Sequence, residues 1–184
     1  LMAKDTTIAP ALTLMEMNIA KVNWNVKIPE GYEDELKEKA EFLRSVMNDM
    51  EHTWSDFIKR TATFNRFGFA PIEKVYRRRE KSKGSKYDDG KVGIKKLPII
   101  AQDSIYSWEY SADGRELKGL KQSGTMVTGT GNLRYDMSTQ PVYIPRKKFI
   151  LFRADPLKDN PEGTSPLNSV YTAWRFKTEL EKFE

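Results

Sequence analysis

A chain of 184 residues with 39% hydrophobic and 31% charged residues is long enough for one domain with its own core and too short for two comfortable ones. It has no cysteine and one histidine, His52, which excludes disulfides, thiolate nucleophiles and cysteine zinc sites and argues against histidine-based zinc or acid-base chemistry. A formal net charge of +5 permits a polyanionic partner without demanding one.

Aromatic residues make up 11% of the chain, more than a disordered segment carries. No run approaches the roughly 18 apolar residues of a membrane span, and the N-terminus lacks the apolar core of a secretory signal. The expectation is a soluble, intracellular protein with no membrane partner. Leu1 stands before Met2, and the final helical pattern reaches Glu184 without a stop signal, so the sequence reads as an excised segment.

A first helix is expected over residues 7–22, with Thr7 as N-cap, Pro10 in the first turn, and Ile8, Leu12, Met15 and Ile19 on one stripe. Residues 22–28 alternate apolar and polar, a half-buried strand closed by Pro29 and Gly31. A second helix starts near Glu33, with acidic residues in its first turn and Leu36, Ala40, Leu43 and Met47 as its stripe. His52 and Thr53 interrupt it. Thr53 and Asp56 have the spacing of a capping box, opening a third helix that buries Trp54, Phe57, Ile58 and Ala62 and ends at Gly68.

Beyond Phe69 the periodicity becomes that of strands, expected over residues 72–79, 92–100, 105–110 and 117–122. Asp88 to Gly90 and Asp113-Gly114 mark turns, the second a hairpin reversal. Residues 124–140 are rich in Gly, Thr, Ser and Asn and read as an exposed loop or loose hairpin tip. An apolar strand follows over residues 149–152. Gly163 then marks a turn, Thr164 or Ser165 caps a last helix, and Pro166 occupies its first turn. Helices, then strands, then one helix indicate an α+β fold: N-terminal helices packed on a mainly antiparallel sheet, followed by a long C-terminal helix.

Few motifs point to chemistry. The glycines at 124, 129 and 131 suggest a phosphate loop, but no Gly-Lys-Ser/Thr follows and no helical pattern opens after them. Asp155, Asp159 and Glu162 lack calcium-loop spacing and read as turn residues. His52 reads as a capping or satisfied surface residue, and no nucleophile elbow is present. Neither cofactor nor catalytic nor metal site is expected. Arg77, Arg78, Arg79 and Lys81, with Lys83 and Lys86, form the densest basic run, flanked by Tyr76 and Tyr87. It is either a solvated hairpin or a grip for nucleic-acid phosphates. Arg146, Lys147 and Lys148 form a second cluster. The tryptophans at 24, 54, 108 and 174 read as core, with Trp174 also placed to anchor an interface.

Several collinear segments carry a resemblance. Met2 and Asp5 lead into a helix and then Val22 and Trp24. Phe67-Gly68-Phe69 precedes Glu73, Val75 and Tyr76. Trp108 leads through Asp113-Gly114 and Leu117 to Gln122. Lys147, Lys148 and Phe149 are followed by Pro161, Gly163, Ser165 and Leu167, then by Trp174, Arg175, Phe176 and Lys177. In order and spacing this resembles the wing-to-stem passage of tailed-bacteriophage portal proteins, with the clip, second stem helix and crown missing.

The resemblance implies a structural, non-enzymatic subunit of a homo-oligomeric ring, usually a dodecamer, at a capsid vertex of the virion, assembled in the host cytoplasm. Double-stranded DNA passes through its channel in packaging and ejection, and terminase, capsid and tail proteins are its other partners. Residues 1–160 would form the wing-like α+β domain, and residues 161–184 the turn and the start of the stem helix. Trp174, Arg175, Lys177 and Lys182 are then candidates for intersubunit or DNA-proximal contacts, while Gly68, Gly163, Thr164 and Ser165 form the structural turn and cap. The alternative is a basic nucleic-acid-binding module without catalysis, built on the Arg77 hairpin.

Overall fold

The computed structural model describes residues 2–127, 133–136 and 140–183. Four helices come first: α1 (Ile8–Ala20), α2 (Glu33–Asp49), α3 (Trp54–Thr61) and α4 (Phe64–Phe67). Nine strands follow among the described residues: β1 (Phe69–Glu73), β2 (Val75–Arg78), β3 (Val92–Lys96), β4 (Ile105–Tyr110), β5 (Leu117–Gln122), β6 (Gly124–Val127), β7 (Leu133–Asp136), β8 (Val142–Pro145) and β9 (Phe149–Arg153). A last helix, α5 (Leu167–Leu180), closes the chain. The fold is α+β, as the order of patterns indicates, and every strand pair is antiparallel.

The sheet is divided into small ladders, β1 with β9, β2 with β3, β4-β5-β8, and β6 with β7. The expected strand over 72–79 is two strands because the chain changes partner at Lys74, whose N–H donates to Lys148 O at 2.7 Å. Before that point the ladder is to β9; after it, to β3. The run after β3 then returns to β1 through Ile100 N–H to Pro71 O at 2.8 Å and Glu73 N–H to Pro98 O at 2.9 Å. β1 is thus enclosed on both edges, and Ala70 and Ile72 have no exposed surface.

Two apolar clusters flank this central pair. Met50, Phe57, Ile58, Ile72 and Leu97 join the helices to β1. Ile100, Leu120, Ile144 and Phe149 form the other, with Trp108 against it. Aromatic edges tie them together: Phe57 meets Phe152 at 6.4 Å, and Trp108 lies 5.8 Å from Phe69 and 6.4 Å from Phe149. The β4–β5 hairpin reverses at Asp113-Gly114 as expected, with Gly114 at a φ of 71°, a left-handed value that glycine adopts without steric cost.

Several local expectations are corrected. Thr7 makes no side-chain cap for α1; Asp5 does, its Oδ1 accepting from the N–H groups of Thr7 at 2.9 Å and Ile8 at 3.3 Å. Met15 is exposed on α1, whose inward stripe is Ile8, Leu12, Glu16 and Ile19. On α2, Leu43 is exposed and Val46 buried. Residues 22–28 form no strand. Their alternation is satisfied without a ladder: Trp24 packs edge-on to Trp54 at 6.4 Å while staying half exposed, and Arg44 donates to Val26 O at 2.7 Å.

The capping box at Thr53 is present, with Asp56 N–H donating to Thr53 Oγ1 at 3.1 Å. The third helix is broken at Ala62-Thr63, where the Thr61 and Thr63 hydroxyls donate back to Phe57 O and Arg60 O, bonds that compete with helix continuation. The segment 124–140 contains the antiparallel β6–β7 pair; residues 128–132 and 137–139 of the expected loop lie outside the described residues.

Candidate functional site: the terminal helix and its junction

α5 is positioned by a crossing of two backbone segments. Gly68 ends α4 in the left-handed region, with a φ of 89° and its N–H donating to Phe64 O. Its own carbonyl accepts from Ala154 N–H at 2.7 Å, and Ala154 O accepts from Thr164 N–H at 2.7 Å. Gly163, at a φ of 57°, sits in the crossing. A β-carbon there would stand 2.5 Å from both Ala154 O and Gly68 O, too close for any side chain.

Of the two candidate caps, Ser165 serves. Its Oγ accepts from Leu167 N–H at 3.2 Å and lies 2.9 Å from Arg66 O and 3.1 Å from Asn65 O, to which it can donate. One buried hydroxyl therefore ties the start of α5 to the end of α4. Arg66 continues the chain of contacts with a bidentate pair to Glu16 on α1, at 2.5 and 2.8 Å, the fork geometry that makes arginine–carboxylate pairs strong.

A second attachment lies farther along the helix. Lys177 Nζ reaches Asp5 Oδ2 at 3.2 Å and Glu181 Oε1 at 3.6 Å. The Thr7 N–H holds the Asp5 carboxyl below its usual range, with Lys177 adding to the effect. The bond to Asp5 in turn raises Lys177. α5 has no fully buried residue. Trp174 is half-buried, with Tyr171 6.1 Å away.

Two of the four residues expected at an interface are thus engaged within the chain: Lys177 with Asp5, and Lys182 with Glu179 at 2.9 Å. Arg175 is exposed and has no ion pair within 4 Å among the described residues. The exposed stripe is instead Phe176, Leu180 and Phe183, 70%, 61% and 87% exposed. With Thr172, Arg175 and Glu179 they line a shallow hollow of about 510 Å³. Sequence reasoning missed these three, although their spacing of four and three residues is that of one helical face.

The basic run is arranged differently from both of its sequence readings. Arg77 is turned inward, its Nη2 donating to Asp49 O at 2.5 Å and standing 3.3 Å from Asp49 Oδ1. Arg79 is 2% exposed; it donates to Ser45 Oγ at 2.9 Å and pairs with Asp89 at 3.3 Å. Its guanidinium lies 4.1 Å from the Tyr87 ring centre and 5.0 Å from that of Phe42. Gly93 leaves room for its stem, since a β-carbon there would come within 3.1 Å of Arg79 Cδ. Only Arg78 and Lys81 of the four face solvent.

Asp49 is the hub of this arrangement. It is 1% exposed and also accepts from Ser85 Oγ at 2.8 Å and Lys86 N–H at 2.7 Å. Burial pushes its carboxyl upward, but the bonds from Lys86 N–H and Ser85 and the charge of Arg77 together outweigh burial and hold it below the usual range. His52 is likewise structural: its Nε2 accepts from Leu97 N–H at 2.8 Å. No group of three potential metal-ligating side chains occurs among the described residues, and no described helix is long and apolar enough to cross a membrane.

A search of curated proteins gives no match. The family model of the portal protein of Mu bacteriophage matches residues 1–184, the span containing the crossing, the terminal helix and the arginine-bearing hairpin. The chain belongs to this phage portal protein family.

Proposed function

We propose that the chain is a ring-forming subunit of the portal vertex, a structural component of the virion that assembles in the host cytoplasm, with residues 1–160 as wing and residues 161–184 as turn and first part of the stem. Twelve copies would enclose the channel through which double-stranded DNA is packaged and ejected, with terminase, capsid and tail proteins docking on the ring. The observation that carries this reading is α5: a helix of 14 residues, fixed at its base by Ser165, with an apolar stripe at Phe176, Leu180 and Phe183 that is exposed. A closed ring needs a heterologous contact, one surface of a copy against a different surface of the next. The stripe at Phe176, Leu180 and Phe183 supplies one side, with Arg175 beside it. Trp174 and Lys177 are half-buried on other faces of the helix, Lys177 through its pair to Asp5, and Lys182 pairs with Glu179 of the hollow's lining.

The basic-hairpin alternative draws less support, because Arg77 and Arg79 spend their donors on Asp49, Ser45 and Asp89. The test is native mass measurement and negative-stain averaging of the intact protein. Rotationally symmetric particles with a central hole support the ring; a monodisperse monomer across low and high salt overturns it.

A further inference from the structure

Three arginines from three separate elements line one hollow on the side of the β4-β5-β8 ladder. Arg115 comes from the β4–β5 turn, Arg146 from the turn between β8 and β9, and Arg153 from the end of β9; the hollow measures about 160 Å³. Tyr110 lines it too, and Leu117 and Leu151 form apolar walls. Asp159 supplies the one carboxylate of the lining. Three guanidiniums against one carboxylate leave the lining with a net charge of +2 (3 − 1).

Two of the three guanidiniums are held in place. Arg146 Nη1 donates to Phe149 O at 2.9 Å, and its guanidinium carbon lies 5.1 Å from the Phe149 ring centre. Arg153 Nη1 donates to Asp159 Oδ1 at 2.8 Å and Asn160 O at 3.0 Å. The loop that supplies those acceptors is unusual. Asp155, Lys158 and Asp159 have φ values of 39°, 53° and 57°, a left-handed conformation that non-glycine residues adopt only when their surroundings impose it. Each guanidinium offers five N–H donors, so most of those on Arg146 and Arg153 remain unused. The Arg115 side chain and the Tyr110 hydroxyl make no hydrogen bond or ion pair among the described residues.

We propose that this hollow is an oxyanion site that takes a phosphate group. Guanidinium forks match phosphate oxygens bidentately, Leu117 and Leu151 give the hollow an apolar side, and Tyr110 adds a neutral donor. At about 160 Å³ the hollow has room for a tetrahedral anion. The site is independent of ring formation, so a single copy binds.

The experiment is a titration of the intact protein with inorganic phosphate at constant ionic strength, read by calorimetry and by the arginine side-chain NMR resonances, for the wild type and for Arg115→Gln, Arg153→Gln and Arg78→Gln. One phosphate per chain is expected, weakened about tenfold by Arg115→Gln, the loss of one charge-assisted pair, and unchanged by Arg78→Gln. The Arg115 side chain makes no hydrogen bond or ion pair among the described residues, so its variant keeps the test valid should Arg153→Gln perturb the loop. A short DNA duplex added to the phosphate-loaded protein identifies the source: displacement of phosphate marks a backbone phosphodiester, and retention marks a free or terminal phosphate. Absence of saturable binding at about ten times a millimolar dissociation constant, or binding indifferent to Arg115→Gln and Arg153→Gln, overturns the proposal.

Discussion

Gly163 rests against the carbonyl oxygen of Gly68, at a distance that leaves no room for a β-carbon. Gly31 provides the contrast, since it also has a positive φ, 85°, but nothing within 4 Å of a β-carbon position. Gly31→Ala is expected to cost only the left-handed backbone penalty, about 1 kcal/mol. Gly163→Ala adds the collision and should cost at least about 3 kcal/mol. Urea denaturation of both variants measures the difference; equal losses would mean that the crossing yields easily.

Asp49 anchors Arg77 in a site closed to solvent. Asp49→Ala strands a buried guanidinium and is expected to destabilise the fold by about 3–5 kcal/mol. The pH dependence has a definite sign. The folded-state pKa of Asp49 is lowered, so its contribution is present above the unfolded value of about 3.9 and is lost as pH falls through the folded value. Denaturation midpoints of the wild type should therefore fall below about pH 4, and Asp49→Asn should flatten that part of the curve. A wild-type profile with no loss there would contradict the assignment.

Phe176→Asp and Leu180→Asp alter residues that touch little of their own chain. Each should leave the stability of an isolated subunit within about 0.5 kcal/mol while abolishing rings, as judged by light scattering after gel filtration. Rings that survive both changes would move the seam elsewhere.

Removing the acceptor at His52 leaves Leu97 N–H without a partner. His52→Ala should cost about 1–3 kcal/mol, the penalty of an unsatisfied buried donor, in the same urea assay, with no effect on ring size.

The sequence was most legible where the governing interaction is local. The bounds of β4 and β5, the reversal at Asp113-Gly114, the stop at Gly68 and the cap at Thr53 each depend on neighbours a few residues away. Residues 22–28 misled because alternation signals burial on one face, whereas a strand also needs a free edge beside it. The inward turn of Arg77 and Arg79 was illegible for a related reason. Their partners Asp49 and Ser45 precede them by 28 and 34 residues, and nothing in a run of basic side chains announces a buried carboxylate. The stripe on α5 was readable, but the charged residues between its members drew attention first.

The bareness of α5 has an energetic consequence. Isolated helices shorter than about 12–15 residues are marginal in water, because nucleation costs more than a few turns return. α5 has 14 residues and no fully buried one, so beyond Ser165, the half-buried Trp174 and the Lys177 pairs, little burial supports it. In a lone subunit its distal turn is the part expected to fray first, exposing the last carbonyls to water. Contact with a neighbour along the Phe176 face would supply the missing burial and complete the coil-to-helix transition. Helicity and assembly then become one equilibrium, and ellipticity at constant temperature rises with protein concentration.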